Sequence, residues 1–343
     1  MARGLHIYRK LQVTKRSPRG PVRKPHSQKR RPLFPAKAPQ AHYAKTVSAK
    51  TVFVWPRFGL QCGVAEFAYH LAAVSDNAAC CKHPYEIQHT EHAVLVLMPS
   101  LTSYDLEVVR YLRRMGARVT LDIHHFSAGG NPFQVLAREA TDAVWHHPRI
   151  PGLAGFGRYV PLPVPTLPRD EVARVGGLTH FGLGTPYKRF DVMASVARDL
   201  GTRLHVYGSK NGGFVPAPLR PFVAVDDSYP SDLELARRLR QHDVGMIGRL
   251  PWGGTQINGS ASARFFVGAG VPAVIDAAAA HEDLTDVLDV VPYNDFAATR
   301  ERVRLLLENP DYRAEALARA DAYAIKTSPT AVAQQMGIHC RES

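Results

Sequence analysis

Three glycine-bearing turns in this chain combine the residue types that hold phosphate. Gly59 and Gly63 precede a helix-patterned stretch. Gly182 ends a β-patterned run and is trailed by Lys188 and Arg189. The run from Gly253 to Ser262, GGTQINGSAS, opens a third helix. A helix start leaves its first backbone N–H groups without intrahelical partners and carries the positive end of the helix dipole, so anions bind there. Lys188 and Arg189 would add full charge, which a leaving diphosphate needs where no metal supplies it. Each turn alone reads as an ordinary loop; three in corresponding positions, one with Lys and Arg, point to phosphate. Competing phosphate chemistries lack their residues. There is no G-x-x-x-x-G-K-[ST], and Tyr187 stands where a G-x-G-x-x-G begun at Gly182 needs its third glycine. No D-x-D pair is present to hold Mg²⁺ or Mn²⁺.

Histidines supply the other candidates. His124 closes an apolar strand, the end at which ligands meet open α/β sheets. It reads either as a ligand-facing group or as a satisfied structural histidine. His125 would face the opposite side, and His146-His147 the junction between two lobes. His83, His89 and His92 with Glu86 and Glu91 match no zinc spacing and read as a solvated loop. Trp252 reads as a stacking or lid residue, or as packing.

These residues need elements to carry them. Strands are expected over 51–55, 93–98, 118–123, 143–146 and 159–162, with helices over 65–74, 104–115 and 132–140 between them. Four prolines, Pro161, Pro163, Pro165 and Pro168, then mark a linker. The pattern restarts with strands over 179–183, 203–207, 222–225, 244–247 and 273–275 and helices over 190–200, 232–241, 261–267, 295–308 and 311–323. Alternating strands and helices predict parallel sheets. Two doubly wound Rossmann-like halves, residues 51–165 and 166–343, would face each other across a cleft at their strand C-terminal ends.

Composition bounds the remaining choices. At 343 residues, two domains are the expectation. No apolar run approaches the roughly 20 residues of a membrane span, and no secretory signal pattern opens the sequence. Four cysteines, Cys62, Cys80, Cys81 and Cys340, show no C-x-x-C spacing. A reducing compartment, the cytoplasm, is therefore expected. The net charge of +13 is concentrated: residues 1–50 hold 14 Lys and Arg and no acid, leaving 29 basic and 30 acidic residues in the rest. Such an arm, with six prolines by residue 40, should stay extended. It reads as an uninformative tail, a transit segment, or a grip on a polyanion such as DNA. A chain trimmed near Lys50 is expected to fold unchanged.

Over residues 51–335 the chain resembles the GT-B glycosyltransferases of the retaining, family-4-like kind. Phe53-Val54-Trp55 through Gln61-Cys62-Gly63-Val64-Ala65-Glu66-Phe67 is similar to that family's first strand and glycine loop. Leu121-Asp122-Ile123-His124-His125 resembles its strand ending in a cleft histidine. Asp142 to His147, then Tyr159-Val160-Pro161-Leu162-Pro163, resembles the exit from its first domain. Phe181-Gly182-Leu183 with Tyr187-Lys188-Arg189-Phe190-Asp191 sits where the family has its phosphate-binding lysine. His242-Asp243-Val244-Gly245-Met246 and Gly270-Val271-Pro272-Ala273-Val274-Ile275 match two further recurrent strands. Two departures stand out. Leu183 replaces the arginine usual after the strand glycine, with Arg189 as the nearest substitute. The glutamate pair eight residues apart would fall on Ile257 and Phe265, with Asn258, Ser260 and Ser262 as the available replacements.

The resemblance implies a metal-independent, retaining transfer of sugar from a nucleotide-sugar donor to an acceptor hydroxyl, with no bound cofactor. It implies donor contacts from Gly63, Lys188, Arg189, Asn258, Ser260 and Ser262, and a catalytic role for His124. The rival readings are a non-catalytic polyanion-binding protein on this scaffold, motivated by the missing arginine and glutamates, and a nucleotide-sugar epimerase, which those missing carboxylates disfavour.

Overall fold

The computed structural model describes residues 46–59, 63–97, 106–124, 126–127, 134–137, 139–147, 157–182, 188–208, 214–228, 230–248, 256–257, 260–277, 279–292 and 295–341. Asn258, His125, Cys62, Trp252, the Gly253-Gly254 pair and the arm up to residue 45 lie outside them. The described residues begin with β1 (Val47–Ser48), β2 (Thr51–Val54), α1 (Gly63–Val74), β3 (Ala78–Cys81), β4 (Ile87–His89) and β5 (His92–Leu97). It continues through α2 (Leu106–Arg114), β6 (Arg118–Ile123), β7 (Phe126–Ser127), α3 (Gln134–Ala137), β8 (Asp142–Trp145) and β9 (Arg158–Tyr159).

Six of these strands form one parallel sheet in the order β3-β2-β5-β6-β8-β9. The chain builds outward from β2 on one side, then crosses to the other, so β2 and β5 flank a topological switch point. The central strands β2 and β5 are buried on both faces, as parallel strands covered by helices are.

The second series is β10 (Leu178–Phe181), α4 (Phe190–Asp199), β11 (Leu204–Tyr207), β12 (Val223–Asp226), α5 (Asp232–Arg240), β13 (Val244–Ile247), β14 (Gln256–Ile257) and α6 (Ala261–Ala269). After it come β15 (Ala273–Asp276), β16 (Asp289–Val291), α7 (Phe296–Glu308), α8 (Pro310–Lys326) and α9 (Pro329–Gln335). Its parallel sheet has the order β12-β11-β10-β13-β15-β16. Numbered within the sheet that is 3-2-1-4-5-6, the dinucleotide-fold order, with its switch point between β10 and β13. The mixed α/β architecture expected from strand–helix alternation is thus present in both sheets.

Several expectations change. Residues 46–50 belong to the folded body: β1 pairs with β4, and Val47 and Ala49 are buried in the first core. His92 lies in a strand, buried, with its ring against Thr120 Oγ1 at 2.8 Å, instead of in a solvated loop. A neighbouring strand supplies the partner that makes an internal histidine tolerable. The stretch expected to be a strand over 159–162 is paired only at Arg158–Tyr159; the prolines that follow donate no ladder hydrogen bonds.

The connection between the sheets is crossed twice. Val160 to Pro168 leads outward, and α9 returns to pack Val332, Ala333, Met336 and Ile338 against Phe53, Phe67, Leu71 and Val94 of the first lobe. The two crossings meet where Val164 N donates to Thr327 O at 2.8 Å. Two side chains of the first lobe hold the returning segment: Arg118 donates to Gly337 O, and Arg158 to Gln335 O. Among the described residues, no helix is long and apolar enough to cross a membrane.

Candidate active site

At the β10/β13 switch point the second sheet gathers its predicted phosphate ligands. Gly182 ends β10 with φ 130°, a backbone conformation that side chains rarely adopt. A Cβ there would stand 3.1 Å from Lys188 Nζ and 3.4 Å from Ser262 Oγ. Lys188, Gly182 and Ser262 therefore share one small volume, although 80 residues separate the outer two. Beneath them His180 is buried, with Nδ1 donating to Met246 O at 2.8 Å. Burial and then the Lys188 charge push this imidazole down to about 3. It stays neutral and does not compete with the lysine for an anion.

Ser260 caps α6, its Oγ accepting from Ala263 N at 3.3 Å. Its oxygen thus organises the helix start, while Ser262 is the serine that stands next to Lys188. Arg189 precedes α4 in the left-handed conformation, φ 39° and ψ 43°. Its guanidinium faces the Asp191 carboxylate in two contacts of 3.2 Å. Part of its charge is thus balanced by the first turn of its own helix.

The first lobe meets this cradle directly. Gly63 is the first residue of α1, and a Cβ on it would lie 3.4 Å from the Cβ of Ala261, the first residue of α6. Two helix N-termini, one from each lobe, thus abut. Close by, β7 and β14 pair antiparallel across the cleft, Phe126 with Ile257 and Ser127 with Gln256. β7 follows His124 by one residue, and β14 lies just ahead of Ser260. The ladder draws the end of β6 toward the start of α6.

His124 is held from beneath by residues that the sequence showed only as parts of motifs or, for His146, as a junction residue. Phe67 of α1 packs its ring edge-on against His124 at 4.6 Å between centroids, and against His146 at 4.7 Å. Asp122, fully buried, accepts on Oδ2 from His124 Nε2 at 3.1 Å and faces His146 Nε2 through Oδ1 at 2.5 Å. His146 Nδ1 donates to Val160 O at 2.7 Å. Burial alone would raise the Asp122 carboxyl; the two histidines outweigh it and hold it below the usual carboxylate range. Burial keeps the His124 imidazole below its ordinary value. The signal for Asp122 was present: two residues before His124 in a strand, it projects from the same face. His146 offered none, since its contact depends on β6–β8 pairing.

These three side chains could in principle bind a cation, their ligand atoms all lying within 4.8 Å of one another. Ligands roughly 2.1 Å from a tetrahedral zinc stand about 3.4 Å apart. The 2.5 Å between Asp122 and His146 is the separation of a shared proton instead.

Two more groups cross between the lobes. Arg264, one turn into α6 and buried, donates to Leu162 O at 3.3 Å and Ser260 O at 3.1 Å and pairs with Asp283. The Asp283 carboxylate also accepts from Tyr159 at 3.2 Å. On the other flank His70 of α1 stands 3.6 Å from Asp232, the first residue of α5. Glu66, one turn earlier on α1, has its carboxyl raised to about 7 by burial and by the Asp232 charge.

No protein-family model matches this sequence, and no curated protein matches it. Solved structures do match in fold. Anabaena HepE in complex with UDP and glucose aligns at a TM-score of 0.62 and 11% identity, over 84% of this chain and 98% of that one. The E. coli trehalose-6-phosphate protein bound with UDP-2-fluoro glucose aligns at 0.56 and 11%, over 83% and 97%. AviGT4, a glycosyltransferase involved in avilamycin A biosynthesis, aligns at 0.54 and 18%, over 84% and 96%. The chain has the GT-B fold, and the alignments span nearly the whole of each of these three proteins.

Proposed function

We propose that this protein transfers a sugar from a nucleoside-diphosphate-sugar donor to an acceptor hydroxyl. The observation that carries the proposal is the convergence of Lys188, Gly182, Ser262 and the α6 N-terminus opposite Gly63 and the His124 strand. The second lobe would hold the diphosphate, with Lys188 on the leaving phosphate and the α6 N–H groups beside it. The first lobe would present the acceptor. As the anomeric C–O bond to the diphosphate breaks, its electron pair goes to the phosphate oxygen. The acceptor hydroxyl attacks from the same face and gives its proton to that oxygen, which retains configuration. Charge on the leaving group is met by Lys188 and helix dipoles, so the reaction needs no metal and no bound cofactor. Gly63, Arg189 and Ser260 would shape the donor pocket, Asn258, outside the described residues, is kept as an expected donor contact, and His124 would contact the transferred sugar. The structural neighbours that carry UDP or UDP-sugars support a uridine donor as the first to test. The absence of a membrane-crossing helix among the described residues is compatible with work in the cytoplasm.

The experiment is a thermal-shift screen against UDP, GDP, ADP, dTDP and CMP with their glucose conjugates, followed by product analysis in EDTA. A stabilising nucleotide raises the melting temperature in proportion to RT ln(1 + [L]/Kd). Sugar release or transfer in EDTA supports the proposal. No nucleotide response, or turnover that requires Mn²⁺, overturns it.

A further inference from the structure

The Asp122 cluster can be resolved further by counting hydrogens. Val160 O only accepts, so His146 Nδ1 carries a hydrogen. His146 Nε2 and Asp122 Oδ1 stand 2.5 Å apart with both side chains buried. Two lone pairs facing each other at that distance would repel, so one proton lies between them. That proton serves the Oδ1 side alone. Asp122 Oδ2, 3.1 Å from His124 Nε2, is left as an acceptor, and His124 Nε2 must therefore donate. A neutral imidazole has one N–H. His124 Nδ1 is thus a bare lone pair.

We infer that Asp122 and His146 are positioning residues that lock His124 in its Nε2–H tautomer, so that His124 meets a ligand as a hydrogen-bond acceptor at Nδ1. The chemical class it selects is a hydroxyl that donates, as a sugar hydroxyl does; a carbonyl or an ionised phosphate oxygen at that place would be repelled. His124 then supplies no proton. Phe67 packs against both imidazoles and helps to hold them in place. The far end of the chain of bonds is Val160 O, on the connection between the lobes. The orientation of His124 is thereby fixed to the same segment whose Leu162 O takes Arg264 of the second lobe. The identity of the ligand rests on the transferase reading above; the tautomer does not.

The pairing also predicts which substitution is harmless. In Asp122→Asn the amide oxygen accepts from His124 Nε2 while the amide N–H₂ donates to a bare His146 Nε2. The buried cluster stays electrically neutral and every hydrogen bond has a partner. In Asp122→Leu both Nε2 atoms lose theirs. The test is long-range ¹⁵N–¹H NMR of selectively labelled histidines, with His124→Gln to assign the ring, read beside donor hydrolysis. The expected result is one protonated nitrogen at Nε2 and one bare nitrogen at Nδ1 for His124. It persists in Asp122→Asn with hydrolysis within about threefold of the parent. It is lost in Asp122→Leu, with turnover down about tenfold or more, the effect of roughly one aligned hydrogen bond. A His124 ring protonated at Nδ1 in the parent, or an Asn variant as altered as the Leu variant, overturns the assignment. If no nucleotide sugar is turned over, the transferase reading fails, and the NMR readout still decides the tautomer.

Discussion

In the transfer proposed above, Lys188 would take the part that a metal ion plays elsewhere, holding the charge of a leaving diphosphate. Its ammonium approaches the Gly182 backbone so closely that a methyl group there would stand 3.1 Å away. A charge-assisted hydrogen bond is worth about 1.5–3 kcal/mol. Lys188→Ala is therefore expected to lower donor turnover by about 10- to 100-fold in a steady-state assay; unchanged kinetics would remove the residue from the site. The residues that sequence revealed and those it concealed differ in one respect. Gly182, Lys188 and Gly63 stand at strand-to-helix turns, where chain order alone places them at the cleft. His146 and Arg264 earn their roles through contacts 24 and 102 residues away in sequence. Nothing in local spacing reports those. Ser260 and Ser262 looked equivalent as glutamate substitutes; the capping bond of Ser260 and the place of Ser262 beside Gly182 separate them.

At the scale of elements, α1 meets α5 with an acid on each side of the gap. Glu66 keeps its proton to about pH 7 in the folded chain, against an ordinary value of 4.5. The folded state thus binds a proton that the unfolded state has released between those values. The contribution is full below pH 4.5 and lost as pH rises through 7. Glu66→Gln should accordingly melt like the parent at pH 4 and be more stable at pH 8, by up to about 3 kcal/mol. His70 and Asp232 are the same in both proteins, so the difference between the two melting curves reports Glu66. Equal differences at both pH values would mean that the carboxyl is not raised. α9 carries a second prediction. Met336, just past its end, is fully buried in the first lobe's core against residues more than 200 positions earlier, such as Phe53 and Val94, so Met336→Ala should cost about 2–5 kcal/mol in a denaturant titration. Loss of less than 1 kcal/mol would show that the returning segment packs loosely. The strands over 118–123 and 244–247 were legible to the residue because β-branched and long apolar side chains fill them. β3, Ala-Ala-Cys-Cys, has small side chains and no such signature. β7 and β14 are two residues each, and only the cleft brings them together.

For the whole molecule, the charge map separates a basic arm from a nearly balanced body, but the boundary lies earlier than residue 50. Val47 and Ala49 are core residues, and Lys50 holds Asp76 at 2.7 Å. A chain beginning at Thr46 should keep the parental melting temperature. One beginning at Lys50 should lose about 3–10 °C, from the burial of one valine and the β1–β4 pairing. Identical melting of the two would return the boundary to residue 50. If the arm grips a polyanion, full-length protein alone should bind DNA, with affinity falling steeply as salt rises. Equal affinity for the chain from Thr46, by fluorescence anisotropy across a salt series, would exclude that role.

The double crossing has a consequence for how the protein is made. Phe53, Leu71 and Val94 are among the first core residues to leave the ribosome, yet the side chains that cover them, Val332 to Ile338, are among the last. Arg341 and Ser75, joined at 3.1 Å, are separated by 266 positions. The second lobe needs no such wait, since its sheet is complete by β16. During synthesis the early lobe must therefore carry an open greasy face for most of the time the later lobe is being built. At about 5–20 residues per second that interval is on the order of 10–50 s. The nascent chain should be held by chaperones at residues 53–96 until the α9 segment emerges. A stop or frameshift between residues 328 and 332 would leave a finished second lobe tethered to a first lobe that cannot close.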